Sequence, residues 1–246
     1  MARREIGALI VTPNTLIESI EKAVLRAREM DASLNERLTL VADEVRVLSA
    51  PFADAVDRMV GRLAESGAGV RAPAVGEEMP PFVLPDETGR LVTLDELLAE
   101  GPAAITFHRG YWCPYCRINT AALAAVHREA RALGGQIVGI APERQKFTAA
   151  LKSDSGAPFP MLTDIDNGYA LTLNLTIWVG SEMAEMMAGA GVDLPAYQGN
   201  EAWMLPIPAT FVVGGDGVVV ARHVDPDYRK GMETEDLLAA LKAARR

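Results

Sequence analysis

Hydrophobic residues recur at helical spacing through the first seventy residues of the chain. One face of residues 34–48 is apolar: Leu34, Leu38, Val41, Val45 and Leu48. Ser33 and Glu36 stand before this face in the pattern of a capping box, which predicts a helix start. Similar spacing at residues 15–30 and 51–66 predicts two further helices. The apolar stripe needs a partner, which is either a helix of the same chain or a second copy of the chain.

Strand and helix patterns alternate beyond this helical segment. Buried-strand patterns at residues 103–107, 136–141 and 161–163 are each followed by helical periodicity. This alternation predicts parallel strands joined by helical crossovers. Two β-branched runs then flank the turn residues 214–217, which predicts a hairpin, and residues 233–246 are predicted to form a closing helix.

The predicted domain boundary lies where glycine and proline become frequent and periodicity disappears, between residues 67 and 81. We place it near residue 72. Residues 1–71 are then an N-terminal α-helical extension, and residues 72–246 are an α/β domain with a central mixed sheet flanked by helices. The methionine-rich residues 176–207 are interpreted as an insertion over one face of this domain.

Composition narrows the function classes. The 246 residues are 49% hydrophobic, which is enough for a sizeable core, and the net charge of -9 disfavours nucleic-acid binding. The apolar run at residues 8–11 is too short for a signal peptide, and no later run reaches bilayer-spanning length. The sequence therefore predicts a soluble cytoplasmic protein with no nucleic-acid or membrane partner.

The only two cysteines, Cys113 and Cys116, stand at the predicted start of a helix. Unpaired backbone N–H groups and the helix dipole stabilise a thiolate there. Arg109 and Arg117 flank the pair and add positive charge, while Trp112 can shield one sulfur from solvent. A disulfide across so short a loop would constrain the unfolded chain very little. The pair is therefore predicted to be redox-active rather than a structural crosslink.

Other uses of a CxxC pair are disfavoured. No second cysteine pair exists, and His108, His127 and His223 lack the spacing of zinc ligands. No glycine-rich phosphate loop occupies a strand-to-helix turn, so a flavin or nicotinamide is not implied. We predict an enzyme without a cofactor or metal.

Residues 112–116, WCPYC, resemble the active-site loop of thioredoxins and glutaredoxins. Four segments resemble the peroxiredoxin-like branch of the alkyl hydroperoxide reductase and thiol-specific antioxidant family: residues 76–89, 107–116 (FHRGYWCPYC), 205–213 (LPIPATFVV) and 225–229 (DPDYR). The resemblance implies a thioredoxin-like fold, a peroxide substrate and a thioredoxin-type or other thiol reductant. It also suggests that residues 225–229 border the active site.

Two alignments give the sulfurs opposite roles. In peroxiredoxins the attacking cysteine stands nine residues after an aromatic residue that ends a strand. Counted from Phe107, this position is Cys116. Cys113 then stands where peroxiredoxins carry a residue with a hydroxyl group. In thioredoxins the first cysteine attacks, which here is Cys113. We predict that Cys116 attacks peroxide and has the lower pKa, with Cys113 as the resolving thiol.

The segment containing Pro208 and Thr210 stands where peroxiredoxins carry an arginine and resembles the cis-proline loop of thioredoxins. Pro208, Thr210 and Trp112 are accordingly predicted to contact substrate. Three arginines are candidates to replace the missing guanidinium: Arg109, Arg117 and Arg222.

The function these features favour is a thiol peroxidase. The pair would reduce hydrogen peroxide or an organic hydroperoxide, close to a disulfide, and be recycled by a thioredoxin-type reductant. A protein disulfide oxidoreductase is the second interpretation. The third is a non-enzymatic redox sensor that uses the helical arm and the methionine-rich insertion. A homodimer formed through the helical stripe is the alternative to packing within one chain.

Overall fold

A five-stranded mixed sheet forms the centre of the protein, of which the computed structural model describes residues 13–244. The strand order is β5-β4-β3-β8-β9, with β3, β4 and β5 parallel and β8 antiparallel to both β3 and β9. The strand bounds are β3 Ala103–Phe107, β4 Gln136–Ala141, β5 Met161–Thr163, β8 Ala209–Val213 and β9 Val219–Val224. The predicted crossovers, hairpin and mixed sheet are confirmed.

Successive side chains of each strand point to opposite faces of the sheet, so the hydrophobic core has one part on each face. Ala104 and Val212 point to one face, where they pack with residues of three helices: α5 (Pro114–Ala132), α6 (Gln145–Ser155) and α10 (Thr234–Ala243). Ile105 and Phe211 point to the other face, which is covered by shorter elements. These are β1 (Val83–Pro85), β2 (Leu91–Thr93), α4 (Leu94–Leu98), a 3₁₀ turn (Ile165–Asn167) and α7 (Gly168–Thr172).

The N-terminal segment is helical as predicted, with α1 at Pro13–Glu29, α2 at Leu34–Leu48 and α3 at Ala50–Glu65. The capping box of Ser33 and Glu36 is formed at the start of α2. Four residues of the predicted stripe are buried: Leu34, Leu38, Val41 and Val45. They pack against α1, α3 and α5 of the same chain and share one core cluster with both cysteines. The stripe is thus covered without a second chain.

The predicted insertion forms a small subassembly. It contains β6 (Thr176–Trp178), α8 (Ser181–Gly189), α9 (Leu194–Gln198) and β7 (Met204–Pro206). The two strands pair antiparallel, and α8 packs on α3 with Met183 and Met187 buried in the core cluster of the cysteines. Among the described helices, none combines the length and hydropathy required to cross a membrane. Residues 8–11 and the last two residues of the predicted closing helix lie outside the described part of the chain.

Candidate active site

The cysteine loop connects the central strand β3 to helix α5. Cys113 is the N-cap residue of α5, and Pro114 occupies the first turn, where its missing N–H costs no hydrogen bond. Gly110 allows the loop to bend because its φ is +138°, and a Cβ at this position would overlap the carboxylate oxygen Oε1 of Glu143. The predicted strand-turn-helix setting of the pair is therefore confirmed.

The two sulfurs sit in different electrostatic environments although both thiols are free and buried. Burial opposes ionisation of Cys113, but a hydrogen bond from Cys116 and the charge of Arg109 outweigh it. Backbone N–H groups at the start of α5 act in the same direction, and the pKa of Cys113 falls to about 7.

The pKa of Cys116 is raised well above its ordinary value. Burial is the main cause, and the hydrogen bond and negative charge of Cys113 add to it. Two features of Arg109 lower this pKa: its positive charge, and its backbone N–H, which donates to Cys116 Sγ at 3.2 Å. The directions of these two shifts are opposite to the expectation that Cys116 has the lower pKa. The nine-residue count ignores which sulfur receives the helix N–H groups.

Arg109 is the cation of the site. Its guanidinium carbon lies 3.8 Å from the ring centroid of Tyr228 and 4.9 Å from that of Trp112. Its charged neighbours within the described residues are Cys113, Cys116 and Tyr228 rather than a carboxylate, so its positive charge acts on the thiols and on a bound substrate. Tyr228 belongs to the DPDYR segment, and its position confirms that this segment borders the active site.

The other two candidate arginines have other partners. Arg117 forms ion pairs with Glu21 of α1 and Asp154 of α6, which fix these helices against α5. Arg222 donates to the backbone carbonyls of Ala72 and Pro73. Both guanidinium groups thus already have partners, although Arg117 also lines the cavity at Cys113, and the catalytic role predicted for Arg117 stays a prediction.

Pro208 differs from the cis-proline expectation. No cis peptide bond occurs in residues 13–244, so the Ile207–Pro208 bond is trans. The Ile207 N–H donates to the carbonyl of Leu175 at 2.8 Å, which extends the β6–β7 pairing and keeps the chain extended into β8. Pro208 and Thr210 are not among the described residues that line the cavity at Cys113, whereas Trp112 is. Their predicted contact with substrate therefore has no support from the cavity.

His108, which directly follows β3, is buried. Its Nε2 lies 2.9 Å from the hydroxyl of Thr106, and burial lowers the pKa of His108 to about 4. The imidazole is consequently neutral at physiological pH and adds no charge beside the thiols.

Glu143 is the functional candidate that sequence reasoning missed. Its side chain accepts a hydrogen bond from the Tyr111 N–H at 2.7 Å, directly behind the cysteine loop. The residue is 0% exposed, and burial, together with the negative charge of Cys113, raises the pKa of Glu143 to about 8. The sequence did contain a signal for Glu143. This residue stands two positions after β4, as Arg109 stands two positions after β3. Because the carboxyl ends of neighbouring parallel strands meet at one edge of the sheet, the two residues were expected near each other.

A cavity of about 140 Å³ lies over Cys113 and Arg109. Its walls come from α1, from the α2–α3 junction, from α8 and from the cysteine loop. Cys113 and Tyr115 line it, whereas Cys116 lies behind them. The site thus presents one thiol of lowered pKa and one guanidinium to a largely apolar cavity.

A reduced CxxC pair at the start of the helix after the central strand of this sheet defines a thiol oxidoreductase of the thioredoxin fold. Residues 75–222 match the model of the AhpC/TSA family, and the chain belongs to that family. It is a peroxiredoxin-like member of the thioredoxin superfamily, as the sequence motifs predicted. The curated relatives include "Putative peroxiredoxin Rv2521" of Mycobacterium tuberculosis, 29% identical over 149 residues, which are 60% of this chain and 83% of that protein.

Solved structures agree on the fold. Peroxidoxin BcpB from Mycobacterium tuberculosis has a TM-score of 0.55 at 21% identity, over 71% of this chain and 99% of that one. A cysteine-to-serine mutant of peroxiredoxin 6 from Arenicola marina has a TM-score of 0.53 at 15% identity, over 68% and 71% of the two chains. The N-terminal helices α1 to α3 precede the residues that the family model matches.

Proposed function

We propose that this protein is a thiol peroxidase in which Cys113 attacks a hydroperoxide and Cys116 resolves the oxidised product. The observation that carries the proposal is the asymmetry of the pair. Cys113 lines the cavity, has a pKa of about 7 and lies in the field of Arg109, whereas Cys116 lies behind it with a raised pKa. Because the thiolate is the nucleophile, Cys113 is the sulfur prepared for attack.

In the first step, the Cys113 thiolate attacks the terminal oxygen of the hydroperoxide. A sulfur–oxygen bond forms, the oxygen–oxygen bond breaks, and the departing alkoxide takes up a proton to leave as an alcohol, or as water from hydrogen peroxide. Arg109 stabilises the negative charge that moves from sulfur to oxygen. Glu143, with its pKa of about 8, is largely protonated at neutral pH and adds little opposing charge.

In the second step, the thiol of Cys116 attacks the sulfur of the Cys113 sulfenic acid. A sulfur–sulfur bond forms, and the hydroxyl group leaves as water with the proton of the Cys116 thiol. An external dithiol then reduces the disulfide, for which we propose a thioredoxin-type protein. Cys113 is only 1% exposed, so a protein reductant reaches the sulfur after a wall of the cavity has moved aside.

Disulfide exchange is the second candidate function. It is favoured by the same order of sulfurs, since the first cysteine of a thioredoxin-type pair is the attacking one. The cavity favours the peroxidase, because a small hydroperoxide fits in the space above Cys113, whereas a protein disulfide reaches this sulfur only after a wall has moved aside.

The decisive experiment is a stopped-flow assay of the fully reduced protein with a series of hydroperoxides. The proposal predicts rapid thiol loss with a rate proportional to peroxide at low concentration, and regeneration of both thiols by thioredoxin and its reductase. Thiol loss no faster than that of free cysteine, with fast reduction of a small disulfide instead, would favour disulfide exchange over peroxidase activity.

A further inference from the structure

The cavity above Cys113 has walls that do not come from the family core alone. Side chains of α1, the α2–α3 junction and α8 line it: Leu16, Ile20, Val45, Phe52, Met183 and Met187. Helices α1 to α3 precede the residues matched by the family model. Helices α1 to α3 therefore supply part of the walls of this apolar cavity, here called the chamber, in front of Cys113.

Few polar groups inside the chamber are available to a ligand. Glu21 and Arg117 are paired with each other, and the hydroxyl of Ser49 accepts from the Phe52 N–H as the cap of α3. Arg109 and Cys113 remain, together with the indole N–H of Trp112, which has no partner among the described residues, and the hydroxyls of Tyr115 and Tyr228. These groups are neighbours, because Arg109 stacks on Trp112 and Tyr228, and the rings of Tyr115 and Tyr228 are 5.2 Å apart. A ligand that fits has one small polar end and an otherwise apolar body.

The size of the chamber limits that body. Its volume of about 140 Å³ is close to the ~150 Å³ of an engineered apolar cavity that holds one benzene molecule. A single aromatic ring or a branched alkyl group of similar bulk therefore fills it. An extended acyl chain exceeds this volume.

We propose that the preferred substrate is a hydroperoxide carrying one compact apolar group, such as an aryl-alkyl or tertiary alkyl hydroperoxide. The peroxide end lies at Cys113 and Arg109, and the apolar group fills the chamber between α1, α3 and α8. This inference rests on the proposed function, which it refines by naming the substrate class.

The expected selectivity follows from burial of apolar surface. Each methylene-sized group removed from water strengthens binding about fourfold, and the kcat/KM rises by the same factor when that burial is kept in the transition state. Hydrogen peroxide has no such group. We therefore expect kcat/KM to increase from hydrogen peroxide to tert-butyl hydroperoxide to cumene hydroperoxide, with at least a tenfold difference between the first and the last.

The wild-type protein tests this directly by stopped-flow thiol loss with the three peroxides. The inference is supported by the expected order and by competitive inhibition with 2-phenyl-2-propanol, the alcohol product of cumene hydroperoxide. Equal or faster reaction with hydrogen peroxide would overturn the substrate class while leaving the peroxidase function intact. Absence of accelerated thiol loss with all three peroxides would overturn both proposals.

A pair of variants on one helix end checks that the chamber is responsible. Ala190 lines the chamber at the end of α8, whereas Ala188 is exposed to solvent on the same helix. Ala190→Phe should reduce the ratio of kcat/KM for cumene hydroperoxide to that for hydrogen peroxide at least tenfold. Ala188→Phe should keep the wild-type ratio. An unchanged ratio in a folded Ala190→Phe variant, verified by circular dichroism, would contradict the chamber as the binding site.

Discussion

Glu143 gives a sharp test of the electrostatics behind the cysteine loop. The residue is fully buried, and burial raises the pKa of Glu143 from 4.5 to about 8. In the unfolded chain the carboxyl is solvated and titrates near its ordinary value. Between these two pH values the folded protein therefore binds a proton that the unfolded chain has released. The stability contributed at low pH is consequently lost as pH rises through this window.

The magnitude follows from the size of the shift. A difference of one pKa unit corresponds to about 1.4 kcal/mol, so a shift from 4.5 to about 8 corresponds to at most ~5 kcal/mol of unfolding free energy. Glu143→Gln removes the titration while keeping an oxygen that can accept from the Tyr111 N–H. The variant should be close to wild type at pH 5 and increasingly more stable than wild type toward pH 8.

The assay is urea unfolding at half-unit steps from pH 5 to 8.5. Both proteins carry Cys113→Ser, which removes the thiol that titrates near pH 7 but keeps the burial of Glu143, the main cause of its shift. Burial lowers the pKa of His108, so this residue makes the unfolding free energy rise with pH below pH 6.5. The effect is the same in both proteins and cancels in the difference between their unfolding free energies. The exposed Glu129→Gln is the matched control and should follow the parent curve. Parallel curves for Glu143→Gln and its parent would refute the reasoning.

Three further outcomes are expected. Arg109→Gln removes the cation beside the pair and should move the pH midpoint for alkylation of Cys113 by iodoacetamide upward from about 7; an unchanged midpoint would exclude Arg109 as a cause. Leu38→Ala empties a core position that is 1% exposed and should cost about 2–5 kcal/mol in urea unfolding, whereas Leu25→Ala, at a position 56% exposed, should change stability by less than about 0.5 kcal/mol. One equivalent of peroxide should convert Cys113 and Cys116 into an intramolecular disulfide, seen by mass spectrometry as the loss of two hydrogens, and sulfur-linked dimers would contradict this.

Local patterns predicted most of the fold. The capping box before α2 and the turn residues between β8 and β9 act within a few residues, so each is readable without knowledge of distant contacts. The strand-turn-helix setting of Cys113 is equally local, because Pro114 and the helix periodicity behind it define the start of α5.

Features that depend on distant residues were less predictable. The positive charge that both thiols receive depends on where Arg109 points, which the stacking on Tyr228 from another part of the chain determines. Arg117 is paired with Glu21 and Asp154, one of them more than ninety residues away, which the sequence could not show. Periodicity shows that a helix face is covered but not by which element, so the chamber of α1, α3 and α8 was not visible in the sequence.

The central claim is that Cys113 is the sulfur that attacks peroxide. The most direct measurement is sulfenic-acid trapping with a dimedone-type reagent in the two single variants, followed by peptide mass spectrometry. Cys116→Ser should react with peroxide at close to the wild-type rate and carry the label on Cys113, because its attacking thiolate and Arg109 are intact. Cys113→Ser should show neither rapid reaction nor label. Label on Cys116 in Cys113→Ser, with none on Cys113 in Cys116→Ser, would contradict the account and restore the peroxiredoxin-type order of the two sulfurs.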